Sequence, residues 1–478
     1  MKPSRLQCLA AALATLPLLA SPAAAQTAEA SLLDALSLLS GGLLVPHDNP
    51  PAVTHDGTVY RVRVPLPRLT EPPDAAIEAV ATPLDAGAWD IAALTLPSPG
   101  VLPLAAQKAG AAGLLTYAIG QQAFHARVDP SLATPSPFKG RLGKITLRTE
   151  NAPQHTDQTI EQYSMEGTIS GDGHGRMNAH TAGTLNNWQI TGGSDKPSDA
   201  FRLSVRAVSV RSEVDGLDRA RANHLRATAQ SIQADRPAAA GQTPNFSLPP
   251  ATRERLHAMI DDLGALLTRF DFDETIQGLH FESAGTKADI GSVRIGIAGD
   301  SRDNRVSARF DITLSDPASS MVPIEYASLM PRRVTIRPAI SGIRSEALMQ
   351  WLRDATAEGT DPAAMLTRTM ALLNDPDAKA GIETLVIESG PLVLDGSARV
   401  RPLPGDAAGV DVHLTARGLD AMMTELQRNP QAMQILPMIF LAKGMAKPVG
   451  DTLVWDIGYA AGAVTINGVP LAQPPARR

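Results

Sequence analysis

The sequence predicts a β-rich α+β fold, with large curved antiparallel sheets and amphipathic helices packed on their concave faces. Three observations predict it. Many segments alternate polar with apolar residues, as in Val59–Val64 (VYRVRV), which gives a strand one wet and one dry face. Successive segments of this kind are joined by short polar or glycine turns, which implies meanders and not βαβ units. Between the β runs lie a few stretches with apolar residues at helical spacing.

Taken in order, Leu32, Leu33, Leu36, Leu39 and Leu43 predict a short amphipathic helix within 26–45. Val59–Val64 is a strand stopped by Pro65 and Pro67, and Trp89–Leu96 is another. Leu114–Ala118 and Ala123–Val128 flank Ile-Gly-Gln-Gln and read as a hairpin. Strands are expected at 144–149, 162–170, 176–182, 187–191 and 201–211, with the turn cluster Gly171-Asp-Gly-His-Gly175 between two of them. Residues 235–250 read as a linker. The clearest helix follows at 252–270, with Thr252 as N-cap and Leu256, Met259, Ile260, Leu263, Leu266, Leu267 and Phe270 on one stripe. Strands are expected again at 277–283, 288–296, 305–314 and 332–340, then helices within 345–373 and 418–446. Strands at 451–459 and 463–466 close the fold, and Asn467-Gly468 ends the last one. The expected organisation is therefore 1–25 signal peptide, 26–234 N-terminal β-rich region, 235–250 linker, 251–472 C-terminal α+β region and 473–478 tail.

One pattern recurs. A strand runs into Gly216-Leu217, Gly342-Ile343 or Gly418-Leu419, and a helical segment follows each pair. The spacing is too irregular for a solenoid. The physical expectation is a glycine at a corner where the chain leaves a sheet.

The first residues carry an export signature. Lys2 and Arg5 precede an uncharged apolar run from Leu6 to Ala20, and Ser21-Pro-Ala-Ala-Ala25 offers small residues for cleavage after Ala25. The apolar run is shorter than the roughly 20 residues of a membrane span. Cys8 is the only cysteine and lies inside this segment, so a cleaved chain has no disulfide, thiolate metal site or cysteine nucleophile. A disulfide-free exported chain fits a bacterial periplasm, and cleavage leaves a chain that is not an integral membrane protein. The net charge is −6 and becomes more negative when Lys2 and Arg5 are lost, which argues against nucleic acid and anionic lipid as nonspecific partners. Aromatic residues are only 4% of the chain, so stacking platforms for bases or sugars are scarce.

No G-x-S-x-G, H-E-x-x-H or Walker loop is present, and the expectation is a protein that is not an enzyme and needs no cofactor. Asp172, His174 and His180 are the nearest approach to a metal site, and a solvated hairpin, with Gly171, Gly173 and Gly175 present for turn geometry, is the simpler reading. Asp271, Asp273 and Glu274 read as a charged helix end. The segment 431–446 is unusually apolar. The simpler reading is a core helix wrapped by a sheet; if it contacts a lipid or acyl chain, Met433, Leu436, Ile439 and Phe440 are the candidate ligand-binding residues, since methionine-rich surfaces adapt to apolar partners. Pro437 should start or kink it.

The tract Trp455-Asp-Ile-Gly-Tyr459, followed by Val464-Thr-Ile-Asn-Gly-Val-Pro-Leu471, resembles the C-terminal end of uncharacterised proteobacterial envelope proteins of the YdgA-like kind and, more remotely, the AsmA-like kind. The resemblance implies an envelope location and assigns no catalytic residues. Such proteins are expected to keep an N-terminal anchor, whereas this chain's leader reads as cleaved. Three functions follow as expectations: a periplasmic protein holding a lipid or other apolar ligand in a sheet-lined groove, an envelope assembly or protein-interaction factor marked by an exposed apolar patch, or a metal-dependent hydrolase.

Overall fold

In a computed structural model of the chain, the described residues are 28–39, 51–66, 69–104, 113–129, 134–151, 154–171, 175–194, 196–234, 250–357, 362–403, 407–428, 432–460 and 462–472. The fold is β-rich α+β with antiparallel pairing throughout. The chain divides into two compact units, Met1–Pro244 and Asn245–Arg478. The leader, the tail and the expected linker up to residue 249 lie outside the described residues.

The first unit runs α1 (Ala28–Leu39), β1 (Ala52–Asp56), β2 (Val59–Pro65), β3 (Ala76–Pro83), β4 (Trp89–Thr95), β5 (Gly100–Leu104), β6 (Gly113–Asp129), β7 (Thr134–Asn151), β8 (Gln154–Gly171), β9 (Arg176–Gly193), β10 (Phe201–Asp218) and α2 (Arg219–Ala234). The ladder follows the order β1–β2–β3–β4–β6–β7–β8–β9–β10, with β5 beside the first half of β6. The alternation in β2 does what it predicts: Val62 and Val64 are buried, and Arg61 and Arg63 are exposed. Leu32 and Leu36 of α1 are fully buried against Val62, Ile91, Val128 and Phe138, and the Trp89 indole donates to Ser31 at 3.2 Å.

Several strands are about twice as long as expected. The hairpin read around Ile-Gly-Gln-Gln does not exist, because β6 passes straight through it. The expected strands at 176–182 and 187–191 are likewise one strand, β9. The reason is a crease. Ladder pairing is interrupted at Gly120, Lys144, Glu161, Asn187 and Arg206, one position on each of five adjacent strands, and resumes in register on both sides. Lys144 and Asn187 hold positive φ there, 54° and 51°. Asparagine tolerates left-handed backbone and so reads as a turn residue in sequence, whereas nothing local marks Lys144. Here each bends a strand that continues beyond it.

The second unit runs α3 (Pro250–Leu263), β11 (Arg269–Ser283), β12 (Thr286–Arg302), β13 (Arg305–Ser319), β14 (Arg333–Arg344), α4 (Ser345–Ala355), α5 (Pro362–Leu372), β15 (Lys379–Ser389), β16 (Leu392–Leu403), β17 (Ala407–Arg417), α6 (Leu419–Gln427), α7 (Leu436–Gly444), β18 (Lys447–Val449), β19 (Thr452–Ala460), β20 (Ala463–Ile466) and β21 (Val469–Ala472). Strands β11 to β17 pair in sequence order. Strand β17 then pairs with β19, whose other edge takes β18 and β20, and β21 follows β20.

Three expectations need correction here. The helix expected over 252–270 ends at Leu263 and starts at Pro250, so Thr252 lies inside its first turn. Phe270 belongs to β11, where its ring covers Gly299. Asp271, Asp273 and Glu274 are therefore strand residues and not a helix end, and Asp273 accepts from Arg294 at 2.6 Å. Asn467-Gly468 is a turn between β20 and β21 and not the end of the last strand, with φ of 51° and 80°, the sign a two-residue hairpin requires.

The recurring strand–glycine–helix pattern is present in the backbone. Gly216, Gly342 and Gly418 all have positive φ, 63°, 70° and 75°. In two of the three, the first residue of the preceding strand is an arginine that donates to the corner carbonyl: Arg176 to Gly216 at 3.3 Å and Arg305 to Gly342 at 2.6 Å. Just past each corner in the second unit, Ile343 and Leu419 are buried and anchor the helix to the sheet.

Candidate functional site

The helices of the second unit cover one face of its strands. α5 packs with Ile340, Ala380 and Val400, and α6 and α7 pack with Leu394, Leu414 and Trp455. The opposite face is polar. These two faces offer two different sites.

On the helix side, α7 begins at Leu436 with Pro437 in its first turn, which suits a residue lacking a backbone N–H donor. Leu436 is buried and Ile439 packs against the same cluster. Met433 and Phe440 face outward, so the four residues expected to form one ligand contact divide between core and surface. Met438, at 73% exposure, and Leu441, at 65%, extend the outer face, joined by Ile435 and Val449. An apolar helix would normally be covered on all sides; this one is covered on one. Its C-terminal carbonyls are held by side chains. The Trp455 indole donates to Ala442 O at 2.8 Å, and the Asn467 amide donates to Met445 O at 2.8 Å. Lys443 pairs with Asp420 of α6. Trp455 and Asn467 of the C-terminal strands thus clamp this helix. Val469 and Leu471 of β21, beyond the Asn467 turn, are exposed as well.

On the polar side, a groove of about 650 Å³ crosses the strands. One row of register partners runs through it: Ala339, Gly381, Arg399, Asp411, Gly458 and Thr465. The next row along the strands places Ser397, His413 and Asp456 side by side, with His413 Nδ1 and Asp456 Oδ1 2.7 Å apart. This resembles a nucleophile–base–acid series, yet no hydrogen bond joins Ser397 to His413, and the His413 and Asp456 side chains are more than half exposed. Histidine–carboxylate pairs across strands recur elsewhere, at His280–Asp289 (2.6 Å) and His180–Glu213 (3.4 Å), so the pair alone marks no chemistry.

Asp172 and His174 lie outside the described residues. His180 is on β9 and is partnered by Glu213 of β10. Among the described residues no three His, Cys, Asp or Glu side chains are placed to hold a metal ion. The groove residues were not singled out in sequence. Their signal is a period of two, Lys379-x-Gly-x-Glu383, Ser397-x-Arg-x-Arg401 and Asp411-x-His413, which marks the wet faces of β15, β16 and β17.

No protein-family model, curated protein or solved structure matches this chain.

Proposed function

We propose that this protein is a non-enzymatic, exported component of a bacterial envelope that docks on a lipid surface through the outer face of α7. The observation that carries the reading is the exposure of Met438, Phe440 and Leu441 on a helix whose other side is already core. Withdrawing such side chains from water gains about 1.5–3 kcal/mol each, and contiguous exposed apolar patches mark interaction sites. The groove carries the charged side chains of Lys379, Glu383, Arg399, Asp411 and Asp456, so an acyl chain fits the protruding helix better than the groove. Flexible methionine and leucine side chains suit a fluid partner that supplies no shaped pocket. No helix among the described residues is long and apolar enough to cross a membrane, which agrees with contact at a surface. The YdgA-like and AsmA-like resemblance supports the envelope setting.

The test is flotation of the full chain with phosphatidylcholine vesicles. The wild type should rise with the vesicles, and Met438→Ser/Phe440→Ser/Leu441→Ser should rise at least fivefold less while melting at the same temperature. A wild type that stays at the bottom of the gradient, or a triple variant that floats equally, would overturn the reading and leave a protein partner, the assembly-factor alternative, for this patch.

A further inference from the structure

The polar groove lies on the face opposite α7 and is independent of the docking reading. Its charges are ordered along the strand direction. Strand β15 presents Lys379, Gly381 and Glu383 at alternate positions, so a cation and an anion stand about 13 Å apart along the backbone at 3.3 Å per residue. Arg399 faces Gly381, in the row between Lys379 and Glu383, and is the second cation of the groove. Asp456 joins the Glu383 end, beside His413. Register opposes Arg399 to Asp411, but the Asp411 carboxylate is taken by Arg401 Nε at 2.7 Å. Among the described residues Lys379, Arg399 and Glu383 have no oppositely charged side chain within 4 Å. Among the described residues no Phe, Tyr or Trp lines the groove, and at Gly458 an added Cβ would meet only the Thr465 hydroxyl, so a main chain can approach closely there.

We infer that this groove binds a short, free-ended peptide, its carboxylate at Lys379 and Arg399 and its ammonium group at Glu383 and Asp456. An extended chain of two or three residues spans about 7–10 Å, which the four side chains can bracket from backbone positions about 13 Å apart. The hydroxyl of Ser397 remains for its amides.

Calorimetric titration of the full chain with trialanine, N-acetyl-trialanine and trialanine amide tests this. Free trialanine should bind saturably at one per chain, and blocking either end should weaken binding at least tenfold. Gly458→Val fills the groove without altering charge, and Lys379→Gln/Arg399→Gln removes the carboxylate site at exposed positions; each should lose binding at least tenfold while keeping the wild-type circular dichroism. Absence of saturable binding up to millimolar trialanine, equal binding of a blocked peptide, or undiminished binding by a folded variant would overturn the inference.

Discussion

The guanidinium of Arg305 donates to the carbonyl oxygen of Gly342 at 2.6 Å, and the same group reaches Asp375 at 3.2 Å and Asp377 at 2.9 Å. One side chain thus ties the corner before α4 to the turn after α5. Asp375 also accepts from the Asp377 backbone N–H and pairs with Arg344 at 3.2 Å. That backbone bond, followed by Arg305, holds the Asp375 carboxyl below its ordinary value of 3.8.

Because the folded-state value is depressed, this group's contribution to stability is present above the ordinary carboxylate value and is lost as pH falls through the folded one. Asp375→Asn should lower the thermal midpoint near neutral pH, and its deficit relative to wild type should shrink as pH falls below about 4. Melting curves of the two proteins between pH 2.5 and 7 check this. A deficit that persists undiminished at the acid end would show that the carboxylate's charge is not what stabilises the turn.

At Gly342 and Gly418 an added methyl group would overlap a backbone carbonyl oxygen, of Asp377 and Pro391 respectively, in addition to meeting positive φ. Gly57 has φ of 60° with open space around it. Urea denaturation should therefore rank the alanine variants. Gly57→Ala should lose about 1–2 kcal/mol, the backbone term alone, and Gly342→Ala and Gly418→Ala clearly more. Equal losses at all three sites would remove the close approach as a cause.

Trp455→Phe keeps the ring's apolar body and deletes the bond to Ala442. A cost of about 0.5–1.5 kcal/mol is expected. Amide exchange in α7 should quicken more than exchange in α6, because the lost bond secures the end of α7. Uniform acceleration across both helices would argue that the bond stabilises the unit as a whole and does not clamp α7.

Leu36→Ala opens a hole where α1 meets β2, β4 and β6. A fully buried leucine reduced to alanine costs about 2–5 kcal/mol. Leu33→Ala, on the same helix but only partly buried against that cluster, should cost less. Chemical denaturation of both variants measures the difference.

The corners were legible in the sequence because their determinants are local: a glycine, the large apolar residue that follows it and a helical stripe all fall within a few residues. Strand lengths were not. Lys144 and Asn187 hold turn-like backbone inside strands, and only the ladders on either side show that the strand continues. Phe270 fitted a helical stripe by spacing, but its ring is needed over Gly299, a residue known to be adjacent only once β11 and β12 pair. The apolar character of α7 was visible as composition. Which of its sides stays uncovered depends on Trp455 and on the sheet it clamps. The groove is the least legible feature, since His413 meets Asp456 and Arg399 meets Gly381 across strands and not along the chain.

Most ladders join strands that are neighbours in the chain; β4–β6 steps over one short strand, β14–β15 spans α4 and α5, and β17–β19 spans α6, α7 and β18. Each hairpin can therefore close soon after its second strand is available, with little loop entropy to overcome. Helix α1 is the exception, because its partner surface includes Phe138 of β7, roughly a hundred residues downstream. In refolding followed by pulsed hydrogen exchange, the meander strands should gain protection first and α1 last. The helix that begins the described chain would then be the latch that closes its first core.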